Sequence, residues 1–122
     1  AAYSEQTVSD DLELYLTSWG TVTLDADYAP YAFFHSSEIP ENNSSRYQVA
    51  AVDALLDEAR ANPDEAVREA AYRDVQEVVL NDAPMITLYY PLSTVAKRPV
   101  LTGEVVRFSW INLDLRDATL SR

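Results

Sequence analysis

This sequence has no cysteine, one lysine, one histidine, one methionine and two glycines in 122 residues. Each scarcity excludes something. Without cysteine there is neither a disulfide framework nor a thiolate metal site. One histidine, His35, with no second soft ligand nearby in sequence gives no basis for a zinc centre, and no cofactor is expected. Few glycines and six prolines leave little room for low-complexity or freely flexible chain. No apolar run approaches the ~18–20 residues needed to span a bilayer. The first residues, Ala1-Ala2-Tyr3-Ser4-Glu5-Gln6, lack the basic and apolar regions of a secretory leader, as a mature exported protein or an excised domain would.

Positive charge is also scarce. Nine Lys and Arg stand against twenty Asp and Glu, for a net charge of −11 and a pI near 4.2. Nucleic acid and anionic lipid both need clustered cations, so neither is an expected partner. Lys97 is the only lysine, and an acidic surface almost free of lysine is the composition of halophilic proteins. Concentrated salt shortens the Debye length to ~3 Å at 1 M and so screens the self-repulsion of such a surface. A salt titration separates this expectation from that of an ordinary acidic domain: complete folding without salt removes the halophilic reading.

What remains is enough for a packed core, since 48% of the residues are hydrophobic and the length suits one domain. Residues 1–11 read as a polar connecting segment. Leu12, Leu14 and Leu16 alternate with Glu13, Tyr15 and Thr17, the period-2 pattern of a half-buried strand ending at Trp19-Gly20. A long aromatic loop follows, Asp25-Ala26-Asp27-Tyr28-Ala29-Pro30-Tyr31-Ala32-Phe33-Phe34-His35. The Ser/Asn-rich stretch 39–45 has the composition of an exposed turn and holds two glycosylation sequons, at Asn42 and Asn43.

The spacing of Val52, Leu55, Leu56 and Ala59 predicts an amphipathic helix over Ala50–Ala61. A second helix is predicted from Asn62-Pro63-Asp64-Glu65 to Asp82. In it Asn62 caps, Pro63 takes the first helical position, and Val67, Ala71, Val75, Val78 and Val79 form the buried stripe. Asp64 with Arg68 and Glu69 with Arg73 are i,i+4 pairs on the wet face. Asn81-Asp82-Ala83-Pro84 stops this helix. Met85-Ile86-Thr87-Leu88-Tyr89-Tyr90 has too few polar residues for a one-sided strand, which predicts a central strand covered on both faces. Val95-Ala96 and 105–110 are further strand candidates, and 113–120 reads as a polar tail.

In order and spacing this series resembles the C-terminal part of the extracytoplasmic solute-binding proteins of peptide-type ABC transporters (the dipeptide, oligopeptide, glutathione and nickel binders). The matching residues are Trp19, Tyr47, Val52-Asp53-Ala54-Leu55-Leu56-Asp57-Glu58-Ala59, Arg68-Glu69-Ala70-Ala71-Tyr72 and Asp82-Ala83-Pro84 with the apolar run after it. The resemblance covers about residues 12–100. It implies an α/β fold, namely a fragment of the second lobe of a two-lobed periplasmic-binding-protein-like fold, with a mixed sheet and two adjacent helices. Residues 1–122 would form a single domain, the C-terminal part of a larger protein. In it 12–100 make the lobe, and 101–122 a tail returning toward the other lobe.

The implied activity is binding of a dipeptide, oligopeptide or glutathione-like solute, outside the membrane, for an ABC importer. The implied partners are that solute and the transporter's membrane subunits. The protein would be a monomer, periplasmic or at the cell surface, membrane-anchored at full length, and not an enzyme. Two departures stand out. Val49-Ala50 replaces the usual Asn-Pro helix start, removing a cap of about 0.5–2 kcal/mol. Val22 stands where the peptide binders place the Asp that pairs with a peptide amino terminus, and the longer loop with Asp25 and Asp27 is closer to the glutathione-binding type.

Five residues are candidates for the ligand. Trp19 either stacks on a ligand or plugs the core beneath the loop. Asp27 can accept hydrogen bonds from a ligand ammonium or guanidinium, and the competing reading for Asp25 and Asp27 is a self-capping loop pair. Tyr28 and Tyr31 can turn ring and hydroxyl to a cleft, whereas Phe33 and Phe34 read as core anchors. Arg46 either pairs with a ligand carboxylate or ties down the Ser/Asn loop. His35 reads as a loop-satisfying histidine, and Tyr89 and Tyr90 as packing residues. Two other classes compete: an interaction module with no small ligand, and an enzyme using Asp25 and Asp27. The sequence offers the latter no phosphate loop, metal cluster or Ser/His/Asp set.

Overall fold

The computed structural model describes residues 2–9, 11–90, 92, 96–103, 105, 106, 113, 114 and 116–120. Four α-helices, a 3-10 turn and four two-residue strands appear among them: α1 Ala2–Val8, α2 Tyr28–Phe34, the 3-10 turn Ser36–Glu38, α3 Ala50–Ala61, α4 Glu65–Asp82, β1 Leu101–Thr102, β2 Val105–Val106, β3 Leu113–Asp114 and β4 Thr119–Leu120.

The predicted helices stand. α3 occupies Ala50–Ala61, begins after Val49 with no side-chain cap, and buries Val52, Leu56 and Ala59. The uncapped start is tied down from outside the helix. Asp53, in its first turn, accepts hydrogen bonds from Ser36 N–H (2.9 Å) and Ser36 Oγ (2.6 Å).

α4 starts later than predicted because Asn62 has another task. Its N–H closes α3 on Glu58 O, and its Oδ1 accepts from Asp64 N–H at 2.9 Å. Asp64 is therefore the cap, its Oδ1 accepting from Ala66 and Val67 N–H, which satisfies two donors the helix cannot. At the other end Ala83 is left-handed (φ 51°, ψ 47°), and its N–H reaches Val79 O. Pro84 follows, unable to continue the helix.

The core lies between α3 and α4: Val52, Leu56 and Ala59 meet Ala71, Tyr72, Val75 and Val79, rimmed by Tyr31, Phe34, Tyr47, Val49, Leu55 and Val78. Burying each large side chain here contributes about 1.5–3 kcal/mol. α2 packs on α3 and leads directly into the 3-10 turn.

The sheet is where the structure departs from expectation. Residues 12–20 and 85–90 carry no strand. Leu14, Leu16, Ile86, Leu88, Tyr89 and Tyr90 are exposed, Tyr90 at 89%, so the packing role expected of Tyr89 and Tyr90 is not realised here. A strand exists through a partner's hydrogen bonds, and among the described residues neither segment has one. The sheets that do form are two-stranded and antiparallel: β1 with β4 in register Leu101–Leu120, and β2 with β3 in register Val105–Asp114. The stretch 113–120, read as a polar tail, thus supplies two strands. Of the candidate 105–110, Val105 and Val106 pair, while 107–110 lie outside the described residues, as does Val95. Gly103, at φ 77°, turns so close to the Asp117 carbonyl that a Cβ there would collide with backbone. The segment expected to be a polar connection instead holds α1.

Candidate functional site

The loop from Trp19 to Arg46 is held by short helical pieces and polar side chains. α2 gathers four of the five candidate residues. Asp27 precedes its first turn, Tyr28 and Tyr31 lie within it, and Trp19 folds back on it with its ring centroid 5.8 Å from Tyr28 and 4.8 Å from Phe33. Trp19 is 41% exposed, so it covers this helix without being swallowed by the core. Phe34 takes the core side, edge-on to Tyr47 at 5.9 Å, as expected of an anchor. Phe33 is half-buried beneath Trp19.

Arg60, which its helix spacing puts among the solvated charges of α3 and not among the five candidates, organises the polar side of this cluster. Its Nε and Nη2 grip both oxygens of Asp27 at 2.8–3.1 Å. Its Cζ lies 3.2 Å from the Tyr31 ring centroid. Tyr31 in turn stacks on His35, centroids 4.2 Å apart and 10° from parallel. A bidentate, stacked guanidinium is a geometry lysine cannot reproduce. The pairing with Asp27 raises the Arg60 pKa further.

Arg68 repeats the arrangement one helix later. Rather than joining Asp64 on the wet face, it donates to Asp25 Oδ1 (2.6 Å) and to Ala59 O (3.1 Å). Asp25 Oδ1 also accepts from Asp27 N–H at 2.8 Å. That backbone bond first, and Arg68 second, hold the Asp25 carboxyl below its usual range. Burial and the neighbouring Asp27 push the Tyr72 phenol up.

Arg46 works elsewhere. It donates to Ser44 O (3.4 Å) and to Val8 O (2.9 Å), tying α1 to the Ser/Asn loop. That loop is not the wholly exposed turn its composition suggested. Asn43 is completely buried, donating to His35 O (3.1 Å) and Tyr47 O (2.7 Å) and accepting from Tyr47 N–H (3.1 Å) and Ser45 Oγ (3.0 Å). A sequon asparagine so enclosed has no free amide to modify. Nothing in the composition separates Asn43 from its less enclosed neighbours; only its four bonds do. Tyr47 extends the anchoring to α4, its hydroxyl donating to Asp82 Oδ2 at 2.6 Å. Burial and that bond push its pKa up to about 12.

His35 satisfies the loop, as expected: its Nδ1 accepts from Ser37 N–H (3.1 Å) and contacts Ser37 Oγ (2.7 Å). Its Nε2 is buried 3.4 Å from Asp57 Oδ1, without hydrogen-bond geometry. Sequence inspection found no Ser/His/Asp set, yet Ser37, His35 and Asp57 stand in that order here. Their geometry is that of a cap. The Nδ1 lone pair is shared with Ser37's own N–H, and the neighbouring Ser36 N–H is bound to Asp53, so no amide donor beside the hydroxyl is left for an oxyanion. Among the described residues no group of three His, Cys, Asp or Glu can hold a metal ion, and no helix is long and apolar enough to cross a membrane. A shallow groove between α3 and α4, lined by Leu55, Glu58, Val67, Ala70 and Asp74 among others, borders none of the five candidate residues.

No family model matches the chain, and no solved structure matches it. Among curated proteins it is 30% identical over 112 residues to the glutathione-binding protein GsiB of Pectobacterium atrosepticum. The likeness is to a solute-binding protein. It covers 87% of this chain but 22% of GsiB. The chain is also 38% identical over 60 residues to Protein XP55 of Streptomyces lividans, 48% of this chain and 11% of that protein. It therefore spans about a fifth or less of the length of these relatives.

Proposed function

We propose that this chain is part of an extracytoplasmic solute-binding protein, the receptor of an ABC importer for oligopeptide, dipeptide or glutathione-like solutes. The observation that carries the proposal is the similarity to GsiB, which runs through nearly nine-tenths of this chain. The helices and the aromatic loop agree with it: a Trp and two Tyr are gathered on one short helix beside charged groups, an amphipathic surface suited to a small polar solute.

The fold we propose for the whole protein is a two-lobed clamshell that closes by a hinge, with this chain in the second lobe. In it the exposed run Met85–Tyr90 would become the covered strand its composition asks for. The exposed run also favours a second reading, an interaction module with no ligand of its own.

A thermal-shift screen in concentrated KCl separates the two, with glutathione, di- to pentapeptides, nickel chelates and oligosaccharides each added to this chain and to a longer form carrying the remaining lobe. A ligand at 100 Kd contributes about 2.7 kcal/mol of stability. We expect a shift with glutathione or short peptides in the longer form. Folded protein that shifts with none of them would leave only the interaction module.

A further inference from the structure

The geometry points to Arg60 as a specificity-determining residue: its guanidinium occupies Asp27, so this part of the site takes no ligand ammonium. The inference rests on the receptor reading above for its ligand, and on the structure alone for its mechanism. Asp27 and Asp25 are the two carboxylates an incoming ammonium would meet on the aromatic loop. Each already has a cation of the protein's own, Arg60 at 2.8 Å and Arg68 at 2.6 Å. Two carboxylates and two guanidiniums sum to zero, so the acidic character that the sequence gives this loop is absent from it in the fold.

Arg60 is the stronger of the two masks. It holds both Asp27 oxygens, and it lies over the Tyr31 ring, so that the ring and the carboxylate fix it together. Tyr72 Oη adds a further bond to Asp27 Oδ1 at 3.4 Å. A ligand ammonium would have to displace a bidentate, stacked partner and leave that guanidinium, 44% exposed, without its counter-ion. A solute with a free amine therefore gains nothing at Asp27 over the same solute with the amine blocked. Removing Arg60 uncovers the carboxylate and reverses that preference.

The test has two readouts. Binding of glutathione and of N-acetylglutathione is measured on the longer, two-lobed form for the native sequence, Arg60→Gln, Arg60→Lys and Asp27→Asn. The native protein should bind the two within about three-fold of each other. Arg60→Gln should favour the free amine by about ten-fold or more, and Arg60→Lys, which keeps a cation but loses the bidentate grip, should fall between. A native preference for the free amine of about thirty-fold, lost in Asp27→Asn, would overturn the inference, since that is the size of effect expected when a hydrogen-bonded charge loses its partner.

The second readout needs no ligand. In a double-mutant cycle of Arg60→Gln and Asp27→Asn on unfolding of this chain, the pair should couple by at least about two-fold in the unfolding constant. Strict additivity would overturn the masking. If neither tripeptide binds, glutathione is excluded as the ligand and the cycle alone decides whether Asp27 is masked.

Discussion

Leu56 and Tyr90 both belong to apolar stretches, yet the first is fully buried and the second is 89% exposed. The difference lies in what each stretch needs in order to be satisfied. A helix closes its backbone hydrogen bonds internally and asks its neighbour only for side-chain packing, so α3 and α4 bury each other's stripes with no further partner. An extended run must find both a hydrogen-bonding strand and two apolar covers. Met85–Tyr90 finds neither among the described residues. The helical body is therefore self-sufficient, while the run beyond Pro84 is a sequence built for burial that the described residues do not provide.

The comparison can be broken at its buried end first. Leu56→Ala should cost about 2–5 kcal/mol in chemical denaturation, since it empties a site between two helices. A loss below about 1 kcal/mol would mean that the α3–α4 interface is not the core. Asn43→Ala should follow at about 2–3 kcal/mol, because it strands the buried amide and carbonyls that Asn43 now satisfies. Hydrogen exchange would place that loss in residues 35–47, ahead of global unfolding.

Tyr47→Phe should cost about 1 kcal/mol and change the alkaline limb. The folded-state pKa, about 12, lies above the ordinary 10. The phenol's contribution is thus intact below pH 10 and disappears as pH rises through 12. The Phe variant should lack that component of the alkaline decline.

Ile86→Ser sharpens the contrast from the other side, with the smallest effect here. In this chain it should change stability by less than about 0.5 kcal/mol. In a form that supplies the missing cover it should cost about 1.5–3 kcal/mol. Equal costs in the two forms would remove the proposed role of Met85–Tyr90 as a buried strand.

Much of the helical body was legible in the residues. The Val52, Leu55, Leu56, Ala59 spacing marked α3 at its observed bounds, and Asp82-Ala83-Pro84 marked where α4 ends. The aromatic loop was read as irregular, and it holds α2 and a 3-10 turn whose order comes from Asp53, Asn43 and His35 rather than from any periodic pattern. The five candidate residues fared unevenly. Trp19, Asp27, Tyr28 and Tyr31 do gather on α2, whereas Arg46 binds α1 to the Ser/Asn loop. Arg60 and Arg68 were read as helix-face charges, because a helix pattern says which residues share a face and not which loop lies across it.

The sequence by itself determined the two long helices, their stops, the absence of thiol chemistry and the acidic balance, because periodicity, capping and composition are local or additive properties. Tertiary structure decided which carboxylates are masked, which asparagine is buried and which apolar runs go uncovered. The masked carboxylates depend on residues 33 to 45 positions apart meeting in space, and Asn43 is enclosed by a bond to His35 eight positions back as well as by its near neighbours; no periodic pattern carries that information.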